Sequence, residues 1–159
     1  MDNLAVFPGT FDPVTLGHFD IFSRASRLFS KLIIAVAESP KKGTLFSLEE
    51  RVLMAEKACS CIPNIRVVGF KGMLIDLLKE EKADILVRGV RTVSDYDYEV
   101  QLSGMYRTLM PNIEIVMLPT SGHLAYISST LVRDVIIHKG DISKFVPPEV
   151  KDFTEKKFY

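Results

Sequence analysis

The sequence has few cysteines, no excess of either charge and no long apolar run. Its two cysteines, Cys59 and Cys61, are one residue apart, and without further ligands beside them we expect reduced thiols, as in the cytosol. Twenty basic residues balance twenty acidic ones, so nucleic acid and anionic membranes are poor candidate partners. The strongest apolar stretch, Leu32 to Ala37, is far too short to span a membrane.

The first residues also lack the basic region and the apolar core of a secretion signal. Together with the cysteine content and the charge balance, this absence favours a soluble protein of the cytoplasm. We therefore expect a cytoplasmic protein that has neither nucleic acid nor a membrane among its partners.

Two common nucleotide-binding motifs are missing. No G-x-G-x-x-G follows the first predicted strand, which argues against a dinucleotide-dependent dehydrogenase, and no G-x-x-x-x-G-K-[ST] occurs, which excludes a P-loop kinase or ATPase at the level of motif. No carboxylate cluster indicates a dedicated metal site. Any Mg²⁺ is therefore expected to bind through the phosphates of a substrate.

Short apolar runs alternate with longer amphipathic ones along the chain. A chain of 159 residues is long enough for one domain, 1–159, with a core over 1–140. The apolar runs predict five buried parallel strands: Leu4–Pro8, Leu32–Ala37, Ile65–Gly69, Ile85–Val87 and Ile113–Leu118. This alternation predicts a Rossmann-like, doubly wound α/β domain with strand order 3-2-1-4-5 and helices on both faces of the sheet. Residues 141–159 are predicted to form a short C-terminal helical appendage.

Apolar periodicity and capping residues predict the helices between and after these strands. The predicted helices cover 16–29, Ser47 to about Ser60, Met73 to Lys82, a segment that Pro111 ends, and a segment with His138 and Lys139 in its last turn and Gly140 just beyond.

The most informative segment runs from Pro8 to His18, directly after the first predicted strand. Gly9 and Gly17 remove side chains where the backbone would approach a phosphate closely. His18 falls in the first turn of a predicted helix, where unpaired N–H groups and the helix dipole favour phosphate oxygens. That position disfavours an imidazolium, so we expect a neutral ring that donates one hydrogen bond. Such a histidine alone would more often be a surface residue, but the glycines favour phosphate chemistry.

A second phosphate-suited segment, Arg88 to Arg91, leaves the fourth predicted strand. Open parallel sheets bind ligands where the winding direction reverses, which in this strand order lies between the first and fourth strands. Arg88 is predicted to end a buried strand, where an unpaired charge is costly and an anion would offset the cost. On the same edge, Ser128 to Thr130 are either ordinary N-caps or a phosphate cradle, and Lys41 and Lys42 either solubilise a loop or belong to the site.

Two motifs in this order resemble those of the nucleotidyltransferase superfamily. Thr15-Leu-Gly-His18 matches its T/H-x-G-H motif, and Ile127-Ser-Ser-Thr-Leu-Val-Arg133 matches its I-S-S-T-x-x-R motif. With Pro8-Gly-Thr-Phe-Asp-Pro13 and Arg88-Gly-Val-Arg91, the chain from residue 4 to about 150 is similar to the bacterial phosphopantetheine adenylyltransferase family. Thr15, where many superfamily members have a second histidine, is usual in this branch.

The resemblance implies an enzyme that transfers the adenylyl group of ATP to 4′-phosphopantetheine with Mg²⁺, giving dephospho-coenzyme A and pyrophosphate. This reaction is the penultimate step of coenzyme A biosynthesis and proceeds by direct in-line attack without a covalent enzyme intermediate. The resemblance also implies a homohexamer, to which the helix at 95–110 would contribute an interface.

The resemblance further implies roles for residues at matching positions. His18 is implied as the catalytic residue, which contacts the α-phosphate and stabilises the transition state. The residues implied to bind the acceptor are Thr10, Lys42, Leu74 and Arg88. The residues implied to bind ATP are Thr10, Phe11, His18, Gly89, Val90, Arg91, Glu99, Leu124, Ala125, Tyr126, Ile127, Ser128, Ser129 and Thr130. Of these, Leu124 to Tyr126 lie in a region that varies within the family, so contacts there are expected through the backbone.

Two other functions stay open at the level of sequence. One is nucleotidyl transfer to another phosphorylated acceptor, such as nicotinamide mononucleotide or glycerol phosphate. The other is a module that binds ATP without turnover. Lys42, Arg88 and the apolar pair Met73-Leu74 favour an acceptor whose phosphate is followed by an extended, weakly polar arm, and an intact His18 favours catalysis over sensing.

Overall fold

One parallel sheet of five strands forms the centre of the computed structural model, which describes residues 3–159 apart from the side chain of Lys42. The strands are β1 (Leu4–Gly9), β2 (Lys31–Ala37), β3 (Ile65–Phe70), β4 (Ile85–Val90) and β5 (Glu114–Pro119). Their order, β3-β2-β1-β4-β5, confirms the predicted strand order.

The sheet opens between β1 and β4. β1 pairs with β2 from Leu4 to Gly9, but it pairs with β4 only at Ala5 and Val6. Pro8 lacks an N–H and so cannot extend a ladder as a donor, while β4 pairs with β5 over its full length. The carboxyl ends of β1 and β4 therefore separate and leave a cleft at the point where the winding direction reverses.

Helices cover both faces of the sheet, close to the predicted positions. They are α1 (Leu16–Leu28), α2 (Leu48–Cys59), α3 (Leu74–Glu81), α4 (Val93–Leu109), α5 (Ser129–Ile137) and α6 (Pro148–Phe158). Two short 3₁₀ helices, Pro40–Lys42 and Gly122–Leu124, were not predicted. α5 ends at Ile137, which is earlier than predicted. A side chain at position 140 would clash with Val135, because a Cβ there would lie 2.7 Å from the Val135 side chain, and this favours Gly140.

The strand residues alternate between two hydrophobic clusters. Ala5 and Phe7 of β1 face one cluster, which contains buried residues of α1, α2, α5 and α6. Val6 faces the other cluster, where Leu78 of α3 packs and Tyr106 of α4 joins the rim. The apolar runs are continuous because both faces of the sheet are covered.

The segment after residue 140 packs on the rest of the chain. Val150 is buried in the same cluster as α1 and α2, and the Phe158 ring packs edge-on against Phe46, with 5.4 Å between ring centroids. The backbone N–H of Leu16 donates to the carbonyl oxygen of Phe145 at 2.9 Å. The C-terminal segment thus contributes to the support of α1. Within residues 3–159, no helix combines the length and the apolar character that a membrane crossing requires.

Candidate active site

A pocket of about 550 Å³ occupies the cleft between β1 and β4. It brings together the two phosphate-suited segments of the sequence and the start of α5. The predicted site residues that line it are Thr10, Phe11, His18, Arg88, Gly89, Arg91, Glu99, Ile127, Ser128, Ser129 and Thr130. The pocket therefore lies at the topological switch point, where the strand order placed the site.

Other predicted site residues lie outside this lining. They are Val90, Leu74, Leu124, Ala125 and Tyr126, and the side chain of Lys42 lies outside the described part of the structure. Leu74 begins α3 and packs on the rim of the second hydrophobic cluster, whereas Tyr126 is largely exposed. The roles implied for these residues stay predictions.

A reciprocal cap at the start of α1 orients His18. The hydroxyl oxygen of Thr15 accepts the backbone N–H of His18 at 3.3 Å, and the backbone N–H of Thr15 donates to Nδ1 of His18 at 3.0 Å. Because a backbone N–H can only donate, Nδ1 must accept, and a neutral ring therefore carries its proton on Nε2. The cap thus leaves the Nε2–H as the available donor of a ring that lines the pocket.

The environment of His18 keeps its ring neutral. The pKa of His18 is lowered to about 4, first because burial disfavours the cation and second because of the charge of Arg91. The ring centroid lies 5.0 Å from that of Phe11, which meets it edge-on, and 6.4 Å from that of Phe22, which stacks on it. The neutral form agrees with the prediction, but its cause differs. The sequence attributed the neutral ring to the start of the helix, whereas burial and the charge of Arg91 lower the pKa in the structure.

Gly9 makes room for the ring of Phe11. A Cβ at Gly9 would lie 2.6 Å from the tip of that ring, and Phe11 is buried with a left-handed backbone conformation (φ 49°). The interpretation of Gly9 as space for a phosphate is thus corrected, because an aromatic ring already needs that space. Through this contact Gly9 fixes one of the two rings that enclose His18.

Arg88 forms a bidentate ion pair with Glu99 of α4. Its Nε and NH2 groups donate to the two carboxylate oxygens, each at 2.7 Å, and Glu99 is only 6% exposed. Two expectations are corrected here: β4 continues beyond Arg88 to Val90, and the charge of Arg88 is already paired. Glu99 lines the pocket, but both of its carboxylate oxygens are engaged in orienting Arg88.

Arg91 connects two walls of the pocket. Its backbone N–H and its Nε donate to Asp95 in the first turn of α4, at 3.0 and 3.3 Å. Its NH1 donates to the carbonyl oxygen of Ile127, which precedes α5, at 3.2 Å. The segment after β4 is thereby joined to the segment after β5.

The start of α5 is attached to the loop after β1. Ser128 caps the helix by accepting the N–H of Leu131, while the hydroxyl of Ser129 donates to the carbonyl oxygen of Pro13 at 2.9 Å. Arg133 donates to the carbonyl oxygen of Asp12 at 2.8 Å. The start of α5, three arginines and several hydroxyls thus line one pocket, which is a composition suited to polyphosphate.

Several lining residues were not predicted as site residues: Asp12, Thr44, Asp95, Tyr98, Thr120 and Arg133. Two of them carried a signal in the sequence. Asp12 belongs to the segment Pro8-Gly-Thr-Phe-Asp-Pro13, and Arg133 ends the I-S-S-T-x-x-R motif. Thr44 carried no comparable signal, because only tertiary packing brings it to the cleft.

The loop after β5 is held by Asp20 of α1. The carboxylate of Asp20 accepts the backbone N–H and the hydroxyl of Ser121, at 3.0 and 2.9 Å. Burial raises the pKa of Asp20, but hydrogen bonds from Ser121 and Arg24 bring this pKa below its ordinary value. The helix that carries His18 thus also fixes the loop at 120–126, where ATP contacts were implied.

Comparison with known proteins agrees with this geometry. Residues 6–135 match the family model described as cytidylyltransferase-like. The chain is 52% identical over 157 residues to a phosphopantetheine adenylyltransferase of Tolumonas auensis, covering 99% of this chain and 96% of that protein. It is 47% identical over 156 residues to a phosphopantetheine adenylyltransferase of Hahella chejuensis, covering 98% and 97%.

A solved structure supports the fold. A protein of Vibrio parahaemolyticus assigned as a nicotinate-nucleotide adenylyltransferase superposes with a TM-score of 0.77 over 99% of this chain and 94% of that one, at 17% identity. Sequence identity over nearly the whole length, the family model and the paired motifs in one cleft lead to the same assignment. The chain belongs to the phosphopantetheine adenylyltransferase family of the nucleotidyltransferase superfamily.

Proposed function

We propose that this protein transfers the adenylyl group of ATP to 4′-phosphopantetheine, which yields dephospho-coenzyme A and pyrophosphate in the biosynthesis of coenzyme A. The observation that carries the proposal is the neutral, capped His18 in one pocket with Arg88, Arg91 and the start of α5. The names of two relatives at 47% and 52% identity support the choice of acceptor.

The reaction requires one bond to form and one to break. A phosphate oxygen of the acceptor attacks the α-phosphorus of ATP, and the bond from that phosphorus to the oxygen of the leaving pyrophosphate breaks. Catalysis then rests on positioning and on stabilising the charge that develops on the α-phosphate. His18 performs the second task by donating its Nε2–H, and since its pKa is about 4, the ring stays neutral at pH 7.

The two substrates are assigned to different parts of the pocket, which meet at Thr10. For ATP we propose Arg91 and Ser129 on the β- and γ-phosphates. The remaining contacts to ATP are assigned to Thr10, Phe11, Gly89, Val90, Glu99, Leu124, Ala125, Tyr126, Ile127, Ser128 and Thr130. For the acceptor we propose Thr10, Lys42 and Arg88 on its phosphate. Leu74 would line the pantetheine arm, and its place at the start of α3, outside the phosphate pocket, suits an extended molecule.

Mg²⁺ is proposed to bind through the phosphates of the substrates. Residues 3–159 contain no group of three or more His, Cys, Asp or Glu side chains that could hold a metal ion, and the pocket instead offers arginines and hydroxyls that fit phosphates. Bound in this way, the ion would supply charge neutralisation to the triphosphate. Arg91 and Ser129 would then orient the phosphates that carry it.

We also propose that the protein forms a homo-oligomer in the cytoplasm, a hexamer by family resemblance. Every residue of α4 is described, and only Glu99 among them is buried. Large apolar side chains on this helix are exposed, namely Val93, Tyr96, Tyr98, Val100, Met105 and Leu109. So many exposed apolar side chains on one helix are typical of a contact between subunits.

An acceptor panel tests the proposed function. The protein is incubated with ATP, Mg²⁺ and one of 4′-phosphopantetheine, nicotinamide mononucleotide, nicotinate mononucleotide or glycerol 3-phosphate, and pyrophosphate release is measured. We expect release with 4′-phosphopantetheine and not with the others. Release with another acceptor only would contradict the choice of acceptor, and ATP binding without any release would indicate a sensing module.

A further inference from the structure

Arg51 of α2 lies buried behind the wall of the pocket that Thr10 forms. Its side chain is among the largest fully buried ones, with 1% exposure. Four of its five N–H groups donate to backbone carbonyl oxygens. The bonds are Nε to Phe46 (3.1 Å), NH1 to Thr10 (2.6 Å), NH1 to Ala37 (2.7 Å) and NH2 to Glu38 (3.1 Å).

These bonds join three segments that are far apart in sequence. They connect the turn after β1, at Thr10, with the end of β2 and with the residue before the cap of α2. Two further contacts close the same arrangement. Asp12 accepts the backbone N–H groups of Leu45 and Phe46, at 2.8 and 2.9 Å, and the hydroxyls of Thr10 and Ser39 lie 3.0 Å apart.

The charge of Arg51 is not neutralised by direct contact. Among residues 3–159, no carboxylate oxygen lies within 4 Å of its guanidinium nitrogens, and Asp12, Glu49 and Glu38 act on it only from a greater distance. Burial lowers the pKa of Arg51, but a guanidinium remains protonated at pH 7. A positive charge therefore lies behind Thr10, where an approaching phosphate would be attracted.

The segments that Arg51 holds carry two of the three residues proposed to contact the phosphate of the acceptor. On the assignments of the proposed function, Thr10 contacts both substrates, and Lys42, in the loop after β2, contacts the acceptor alone. The residues proposed for the triphosphate, Arg91 and Ser129, are instead held by Asp95, Ile127 and Pro13. Arg51 thus supports one side of the pocket.

We infer that Arg51 is a positioning residue for the phosphate of the acceptor, an inference that rests on the proposed function. It holds the backbone of Thr10 against the end of β2, and it adds behind that wall a positive charge that no carboxylate contacts directly. Its loss affects the acceptor selectively, whereas a merely structural residue would affect both substrates alike.

The test compares Arg51→Met and Arg51→Lys in the steady state. For Arg51→Met we expect the KM for 4′-phosphopantetheine to rise about tenfold or more, as for a lost charged hydrogen bond, with less than a threefold change in the KM for ATP. Lysine keeps the charge but cannot make the several hydrogen bonds of the planar guanidinium. We therefore expect Arg51→Lys to raise the KM for 4′-phosphopantetheine less than Arg51→Met does. The matched control is Arg66→Met, which removes an exposed ion pair between Arg66 of β3 and Glu81 of α3. It should change neither KM.

Equal changes in both KM values, or lowered thermal stability with both values unchanged, would overturn the inference. Should Arg51→Met fail to fold, Arg51→Lys decides by the same criterion. Amide hydrogen exchange of Arg51→Lys tests the positioning role without any need for turnover, so it is independent of the proposed function. We expect faster exchange in residues 8–12 and 37–46 but not in β4 and β5. Wild type without turnover would overturn the proposed function alone, and a uniform rise in exchange would overturn the role of Arg51.

Discussion

His18 receives the N–H of Thr15 on Nδ1 and lies between two phenylalanine rings, so its role depends on the remaining Nε2–H. Replacement by asparagine keeps an acceptor near the position of Nδ1 but removes the donor at Nε2. We expect His18→Asn, like His18→Ala, to lower kcat about a hundredfold or more, because one transition-state donor is lost.

Binding of ATP should change little in both variants, as measured by isothermal titration calorimetry. His18→Gln, which places an amide N–H near the position of Nε2, should retain more activity than His18→Asn. Normal turnover by His18→Asn would show that His18 serves only to cap α1.

The lowered pKa of His18 also makes a prediction about stability. In the unfolded chain the ring titrates near 6.5 and in the folded protein near 4, so between these values the unfolded state binds more protons. The contribution of His18 to stability is therefore fully present above pH 6.5, and it is lost as the pH is lowered toward 4, by at most about 3 kcal/mol. Between pH 7 and pH 4.5, urea unfolding of wild type should lose about 2 kcal/mol more than that of His18→Asn. Equal losses would contradict the lowered pKa of His18.

Variants of the Arg88–Glu99 pair distinguish a role of Arg88 in binding the acceptor from a role in the stability of the fold. Arg88→Ala should raise the KM for the acceptor about tenfold or more while leaving the KM for ATP nearly unchanged, because a phosphate anchor is lost. It should also destabilise the fold by about 2 kcal/mol, since Glu99 then lies buried without its partner.

The double variant Arg88→Ala/Glu99→Ala is the control for this prediction, because it removes the stranded carboxylate as well. It should recover stability in denaturant unfolding but keep the high KM. Recovery of both quantities together would mean that Arg88 supports only the fold.

His18 and Arg88 could be proposed as site residues because neighbouring residues along the chain indicate their roles. His18 follows a strand and a glycine-rich turn, and Arg88 follows an apolar run, so both patterns are local. Arg51 could not be predicted, because it occupies an ordinary position within an amphipathic helix. Its role arises only where α2, β1 and β2 meet.

Among the elements, α1 has the most direct connection to the chemistry, through its first turn. Thr15→Ala removes the hydroxyl that caps α1 and should cost about 1 kcal/mol of stability. The backbone N–H of Thr15 remains and still donates to Nδ1 of His18, so kcat should fall less than tenfold. Thermal unfolding and steady-state kinetics measure both quantities.

Ser47→Ala is the matched control, because Ser47 caps α2 with the same reciprocal geometry. It should cost a similar free energy and leave kcat unchanged. A fall in kcat for Thr15→Ala as large as for His18→Ala would mean that the hydroxyl itself, and not the backbone, sets the tautomer.

The strands and helices were predictable because burial on both faces leaves continuous apolar runs, and helix caps have local signatures. The end of β4 was predicted too early, since Arg88 and Gly89 interrupt the apolar pattern while the ladder to β5 continues to Val90. The 3₁₀ helix at Pro40–Lys42 was missed because so short an element has no periodicity.

On the scale of the whole molecule, the exposed apolar side chains of α4 predict association. Val100→Glu should shift the sedimentation equilibrium toward the monomer, because a buried carboxylate at a subunit contact is costly. Leu53→Glu changes a partly exposed leucine on α2 and should leave the assembly intact. An unchanged assembly in Val100→Glu would remove α4 from the proposed interface.

The central claim is that the separation of β1 from β4 lets two distant segments hold one triphosphate. A crystal structure with ATP tests this claim most directly. We expect Nε2 of His18 within about 3 Å of an α-phosphate oxygen, with Arg91 and the start of α5 on the outer phosphates. An imidazole turned away from the phosphorus, or a triphosphate bound outside the cleft between β1 and β4, would contradict it.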